Sequence, residues 1–233
     1  MLVSDMPSKN DKGFPPFAVT TDLVILSVRP PAFELLLVKR SQGPHKGDWA
    51  LPGGFVAIDK SLEDSAKERL KTKTGVNLKN TYLEQLKTFG DPKRDKRMRT
   101  VSVAYLALIG PDFKKEEGLE EVQWVSVNTL GKRKLAFDHD KIAQLGVERA
   151  RAKLEYSTVA TTFCNRIFTI AELRKVYESV WGVALDPGNF HRKVLENEGF
   201  LSETTKTISE GRGRPAKGYK AGNQTWLTHT IRR

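Results

Sequence analysis

Two helices with chemically marked ends, followed by two strand-forming runs, confine the last third of this chain to very few folds. Thr169 stands three residues before Glu172, a pairing that satisfies orphan N–H groups at a helix start, and Ile170, Leu173, Val176, Tyr177 and Val180 follow at helical spacing. A second helix opens with Asp186 as cap and Pro187 in its first turn, and Gly199, near the end of NFHRKVLENEGF, stands past the helix. LSETTKTI, the loop SEGRGRPAKG and Tyr219-Lys220-Ala221 come next. The order helix, helix, hairpin predicts a small α+β winged helix-turn-helix unit.

The residue types on this unit suit DNA. At about 100° per residue, Phe190, His191, Val194 and Leu195 fall on one side of the second helix and Asn189, Arg192, Lys193 and Glu196 on the other. Asn pairs adenine and Arg pairs guanine in the major groove, so Asn189, Arg192 and Lys193 are the expected contacts. At the hairpin tip, Arg212-Gly213-Arg214-Pro215 resembles the core of an AT-hook, in which Arg-Gly-Arg lies in a narrow minor groove; Lys217 stands close by. From Arg151 onward there are 14 Lys and Arg against 8 Asp and Glu, and the whole chain carries a formal charge of +11. Such a balance favours a polyanion over a protein partner.

The earlier residues follow another pattern. Strand-like runs at Ala18 to Val28, Phe33 to Val38, Val101 to Ile109 and Val122 to Val127 alternate with two helices. One spans about Leu62 to Thr74, opened by Ser61 with Asp64 three residues on and closed by Gly75; the other starts near Asp140 and carries Ile142, Leu145, Ala150 and Leu154. We therefore expect an α/β domain over residues 14–156 and the winged unit over 157–233, with STVATTFCNR as a short helix or a connector. A single cysteine, Cys164, excludes an intramolecular disulfide or a thiolate metal cluster and fits a cytoplasmic protein, as does the lack of an apolar leader or membrane-length apolar run.

The stretch GGFVAIDKSLEDSAKERLKTKTGV, residues 53–76, resembles the Nudix box: Gly, five residues, Glu, seven residues, Arg-Glu, an aliphatic, any residue, Glu-Glu, any residue, Gly, aliphatic. Counted from Gly54, the scaffold positions Leu70, Gly75 and Val76 match. The acidic ones do not: Lys60 stands at the first Glu, Glu68-Arg69 reverses the Arg-Glu pair, and Thr72-Lys73 replaces Glu-Glu. In active relatives these carboxylates hold magnesium ions that polarise a diphosphate. A one-residue slip of Glu68 does not restore a carboxylate pair, because its neighbour one turn on is Thr72. Lys60, Arg69 and Lys73 either neutralise a diphosphate directly or form a solvated basic helix face.

Beyond the box, LVKRSQGPHKGDWALPGG, FGDPKRDKRMRTVSVAYLALI and LAFDHDKI, with a winged helix ending in GRGRPAKGY, are together similar to the Nudix-related transcriptional regulators of NAD metabolism. The resemblance implies a Nudix-like mixed-sheet sandwich that senses ADP-ribose or a related nucleotide, while the replaced carboxylates predict no catalysis and no metal, and no cofactor is expected. It also implies a homodimer that represses NAD-synthesis genes on a palindromic double-stranded DNA operator and is released by the ligand. Ligand contacts are implied near Arg40, Trp49, Gly53, Gly54, Asp95, Arg97 and Arg99. From the residues themselves, Arg94, Arg97 and Arg99 form a basic turn suited to phosphate, and Trp49 either stacks on adenine or fills the core. Two other readings stand beside this one: an ADP-ribose diphosphatase with an appended DNA-binding module, and a constitutive DNA-binding protein with a passive Nudix domain.

Overall fold

Every residue from Thr21 to Val28 is buried, although strict alternation would expose half of them, and this marks a strand covered on both faces. That strand, β1 (Ala18–Arg29), is the middle of the sheet in a computed structural model describing residues 16–75, 81–111, 121–209 and 215–232. Phe14, where ordered structure was expected to begin, and Val76 lie outside these residues, as do Arg212 and Arg214. The elements that follow are β2 (Ala32–Lys39), β3 (Trp49–Ala50), β4 (Gly53–Phe55), α1 (Leu62–Thr74), β5 (Tyr82–Phe89), β6 (Thr100–Ile109), β7 (Val122–Ser126) and α2 (His139–Tyr156). Among the described residues the sheet runs β3-β2-β1-β6-β5, with β4 paired to β1 and β7 to β2. The pair β1–β6 is parallel, in register from Ala18↔Thr100 to Ser27↔Ile109.

Each face of this mixed sheet receives one helix of the first unit. Ala66 and Leu70 of α1 pack on Leu23, Ile25, Leu36, Val103 and Tyr105. Ile142, Ala143, Val147, Ala150 and Leu154 of α2 join Val24, Leu26, Leu35, Leu37, Leu106 and Leu108 on the other face. The sandwich expected from the sequence is present. Ser61 caps α1 by accepting the Asp64 N–H, and Gly75 closes it at φ 64°, as their chemistry predicts. Asp138 precedes α2 but makes no side-chain cap bond, because its carboxylate is held by Arg94. Strands β3, β4 and β5 are additions to the sequence reading. The first two are only two and three residues long, and the third is an edge strand whose sole buried residue is Leu86, so neither type leaves an apolar run.

A 3-10 helix at Thr158–Phe163 leads from α2 to α3 (Ile170–Trp181), α4 (Pro187–Glu196) and the antiparallel pair β8 (Leu201–Ile208) and β9 (Ala216–Ala221). The capping box of Thr169 and Glu172 and the Asp186 cap both form. Phe168 and Tyr219 exchange backbone hydrogen bonds, tying β9 to the approach of α3. Tyr177 lies edge-on to Trp181 and Phe190, with ring centroids 4.9 and 5.2 Å away. This cluster is continuous with the α2 face of the sandwich: Phe163 packs edge-on against Phe33 of β2, and the Trp181 indole donates to the Arg151 carbonyl at 3.1 Å. The two units share one apolar core. No helix among the described residues is long and apolar enough to cross a membrane.

Candidate functional site

The single carboxylate of β1, buried in the middle of the sheet, organises the site. Asp22 of β1 is 5% exposed; it accepts hydrogen bonds from the Ser102 hydroxyl on β6 and from Arg94 Nη2 at 3.5 Å. Arg94, also buried, donates to both oxygens of Asp138, at 2.8 and 3.2 Å. His139, the first residue of α2, accepts the Leu51 N–H on Nδ1 at 2.9 Å, so its proton sits on Nε2, 3.7 Å from Asp22 Oδ1. Burial holds the pKa of His139 below the usual range, the nearby carboxylates opposing only in part, and the ring is neutral at pH 7. This network joins strands β1 and β6 to the start of α2.

Above it opens a cavity of about 360 Å³. Arg40, Arg69, Lys73, Arg94 and Arg97 line it, with Asp22 and Asp95 as the carboxylates, and both of these are already bonded to arginine. The cavity is therefore electropositive. Gly53 and Gly54 form its β4 wall; the lack of a side chain is a packing requirement at Gly53, where a Cβ would lie 2.7 Å from the Thr21 carbonyl oxygen, while at Gly54 a side chain would displace the tip of Arg69. A Cβ at Gly53 would lie 2.1 Å from Asp22 Oδ1, and one at Gly54 would lie 2.3 Å from Arg69 Nη2. Asp95 orients Arg97 through a paired contact at 3.1 and 2.8 Å. Burial raises the Asp95 pKa, but the Arg97 hydrogen bonds outweigh it and leave the group below the ordinary carboxylate range. The Arg97 guanidinium in turn lies 5.6 and 5.9 Å from the rings of Phe55 and Phe137, and Arg40 lies 4.9 Å from Phe137.

Of the ten ligand contacts expected from the sequence, seven meet here: Arg40, Gly53, Gly54, Arg69, Lys73, Asp95 and Arg97. Three do not. Lys60 turns to Glu68 on the outer side of α1, and this hydrogen bond raises its pKa. Arg99 donates to the Gly90 carbonyl at 2.8 Å and covers Phe17. Trp49 packs against the apolar core, with Lys39 over its ring. The basic turn of Arg94, Arg97 and Arg99 is thus divided among separate acceptors: Asp22 and Asp138, Asp95, and the Gly90 carbonyl. Sequence reasoning missed Asp22, Phe137, Asp138 and His139. A carboxylate within AVTTDLVILSVR was the available signal for the first, and the run FDHD for the others. Among the described residues no group of three His, Cys, Asp or Glu side chains could hold a metal ion.

On α4 only Phe190 and Val194 turn inward. His191 and Leu195, expected on the apolar side, are exposed, because α4 rests on α3 along a narrow strip centred on Phe190 and Val194. The outward arc therefore comprises Asn189, His191, Arg192, Leu195 and Glu196, with Lys193 half-buried at its margin. Arg192 is held by Glu196 at 3.2 Å and by Asn189 Oδ1 at 3.3 Å, which preorients the fork across one face. Lys217 on β9 pairs with Glu203 on β8.

The NUDIX domain model matches residues 19–145, and the NrtR DNA-binding winged helix domain model matches residues 162–221. The ADPR responsive transcriptional repressor NtrR of Acinetobacter baylyi is 35% identical over 219 residues, spanning 91% of this chain and 85% of its own length. The chain belongs to the NrtR family. Shewanella oneidensis NrtR complexed with a 27mer DNA aligns at a TM-score of 0.82 and 31% identity, over 92% of this NrtR-family chain and 99% of that one. The NUDIX domain of the same Shewanella protein, complexed with ADP ribose, aligns at 0.53 and 34% identity over 60% and 93%. The ADP-ribose pyrophosphatase of Methanocaldococcus jannaschii is 37% identical over 110 residues, covering 47% of this chain and 63% of that enzyme.

Proposed function

We propose that this chain is a DNA-binding repressor of NAD-metabolism genes whose Nudix-like unit senses ADP-ribose and releases the DNA. The carrying observation is an electropositive cavity built into the same core as the winged helix. Residues 14–156 form the sensor and 157–233 the DNA-binding unit, which acts as a homodimer on a palindrome. At about 360 Å³ the cavity falls within the size range of small-molecule sites. Arg69, Lys73 and Arg97 supply fixed positive charge for the diphosphate, Arg40 assists at the rim, and Gly53 and Gly54 let the ligand approach the β4 backbone. A divalent cation does not fit. The cavity-facing positions of α1 are Arg69 and Lys73, while Glu68 and Glu63 are directed to Lys60 and Lys67. We read the sensor as catalytically inactive and do not extend the hydrolytic activity of the pyrophosphatase relative to this chain.

Calorimetry with ADP-ribose tests this reading. Binding is expected, and Lys73→Glu should weaken it by about ten-fold or more, since the loss of one charge-assisted contact exceeds 1.4 kcal/mol. With magnesium present, AMP should not form faster than about one turnover per second. Enzyme-like AMP release would favour the diphosphatase reading, and no heat of binding would leave a passive domain.

For DNA, Asn189, Arg192 and Lys193 on α4 and Lys217 on β9 are the proposed contacts, together with Arg212 and Arg214, which lie between β8 and β9 in the sequence and outside the described residues. Arg192→Ala is expected to cost about 1 to 3 kcal/mol on the best site and to relax base preference at one position. A uniform loss across all sequences, read in a competition binding assay, would instead assign Arg192 to phosphate.

A further inference from the structure

The residues after β9 grip two elements at once. On one side, Leu227 N–H donates to the Tyr156 carbonyl at 2.9 Å, Ile231 N–H to the Glu155 carbonyl at 3.0 Å, and Thr158 N–H to the Thr225 carbonyl at 3.1 Å. The segment is thereby fastened along the C-terminal end of α2. Trp226 stacks on Tyr156 with ring centroids 5.8 Å apart, and Ile231 is buried. The Lys153 ammonium lies 5.1, 5.9 and 5.6 Å from the rings of Tyr82, Tyr156 and Trp226, and 3.0 Å from Glu84. Burial opposes its charge, but hydrogen bonds to Tyr82 and Glu84 outweigh burial and raise its pKa, so the cation holding these rings persists at neutral pH.

On the other side the segment holds the DNA-reading helix. Asn197, the C-cap of α4, is 3% exposed. Its amide donates to the Lys193 carbonyl at 2.8 Å and to the His229 carbonyl at 3.0 Å, and its oxygen accepts the His229 N–H at 2.9 Å. This is a reciprocal pair between the end of α4 and a strap bound to the end of α2. The opposite end of α2 is Asp138 and His139, in the network beneath the cavity. With 18 residues at about 1.5 Å each, α2 spans roughly 27 Å from one site to the other.

We propose that residues 223–231 form the link through which the cavity acts on α4, with Asn197 as the positioning residue that transmits a shift of α2 to the DNA-reading face. This inference rests on the reading of ADP-ribose as effector. A packed helix moves as a unit, because its core contacts resist continuous deformation, so a change at Asp138–His139 reaches Tyr156 with little loss. The reciprocal amide pair fixes both the height and the rotation of the α4 terminus relative to the strap, which a single apolar contact would not.

The test uses the full chain, its Asn197→Ala variant and a second variant, His229→Pro, that removes the backbone donor while leaving Asn197 intact. The probes are ADP-ribose and a duplex selected by the wild-type chain from random-sequence DNA. For wild type, saturating ADP-ribose should change DNA affinity by about 5- to 150-fold, whereas in either folded variant the change should shrink to about two-fold with ADP-ribose affinity itself preserved. A merely structural role would lower the melting temperature and leave the ratio of the two DNA affinities unchanged. That outcome in a folded variant overturns the proposal. Loss of all sequence-specific DNA binding in both folded variants also overturns it, by placing the strap in recognition itself. If wild-type DNA affinity ignores ADP-ribose, the effector reading falls and the link falls with it; if only the variants lose the response, both stand.

Discussion

Saturating ADP-ribose is expected to weaken operator binding by about 5- to 150-fold, and operator DNA is expected to weaken ADP-ribose binding by the same factor, because coupling between two sites is reciprocal. Rigid attachment of the winged unit is the precondition for this coupling, and the shared core supplies it. Phe33 and Phe163 pack across the two units, the Trp181 indole bonds to the Arg151 carbonyl, and Arg151 Nε donates to the Val180 carbonyl at 3.0 Å. A winged unit attached in this way does not rotate freely on a linker. In the proposed binding mode a dianionic diphosphate among Arg69, Lys73 and Arg97 would compete with Asp95 for Arg97 and alter the field at Arg94, which bonds Asp138 at the start of α2. In a homodimer, a small reorientation of α2 changes the separation of two α4 helices that must enter major grooves about one helical turn, or a multiple of it, apart. Titrating each ligand in the presence and absence of the other measures the factor twice. Equal ADP-ribose affinity for free and DNA-bound protein would eliminate the switch.

Arg94→Ala should strongly destabilise the sensor. Its guanidinium is 4% exposed and bridges Asp22 and Asp138, whose side chains are 7% and 16% exposed. Removing it leaves both carboxylates in the interior without their cation, at a cost of about 3 to 5 kcal/mol. For a chain of this size that corresponds to a fall in melting temperature of roughly 6 to 20 °C. Arg192→Ala, at an exposed pair, is the control and should melt with wild type. Thermal denaturation followed by circular dichroism reads both. An Arg94→Ala protein melting within about 2 °C of wild type would show that the cluster is dispensable for the fold.

The helix ends and the principal strands were legible from local chemistry. Ser61, Thr169 with Glu172, Asp186 and Gly75 act on backbone groups within four residues of themselves, so their meaning does not depend on what the chain packs against. Long apolar runs likewise announced β1, β2, β6 and β7. The edge strand β5 was not legible, since a strand with one solvated face and a charged rim resembles a loop in composition. In the site, Arg69 and Lys73 could be placed on one helix face by spacing, but not Lys60, whose direction depends on Glu68 in the second turn of α1. Nor could spacing show that Arg99 turns to the Gly90 carbonyl while Arg97 turns to Asp95. Long charged side chains choose among several acceptors within reach, and only the tertiary arrangement decides which is nearest. The same holds for the core common to both units: burial of apolar surface is non-directional, so the sequence left STVATTFCNR as a short helix or a connector, and only the folded chain determined that Phe163 packs on Phe33.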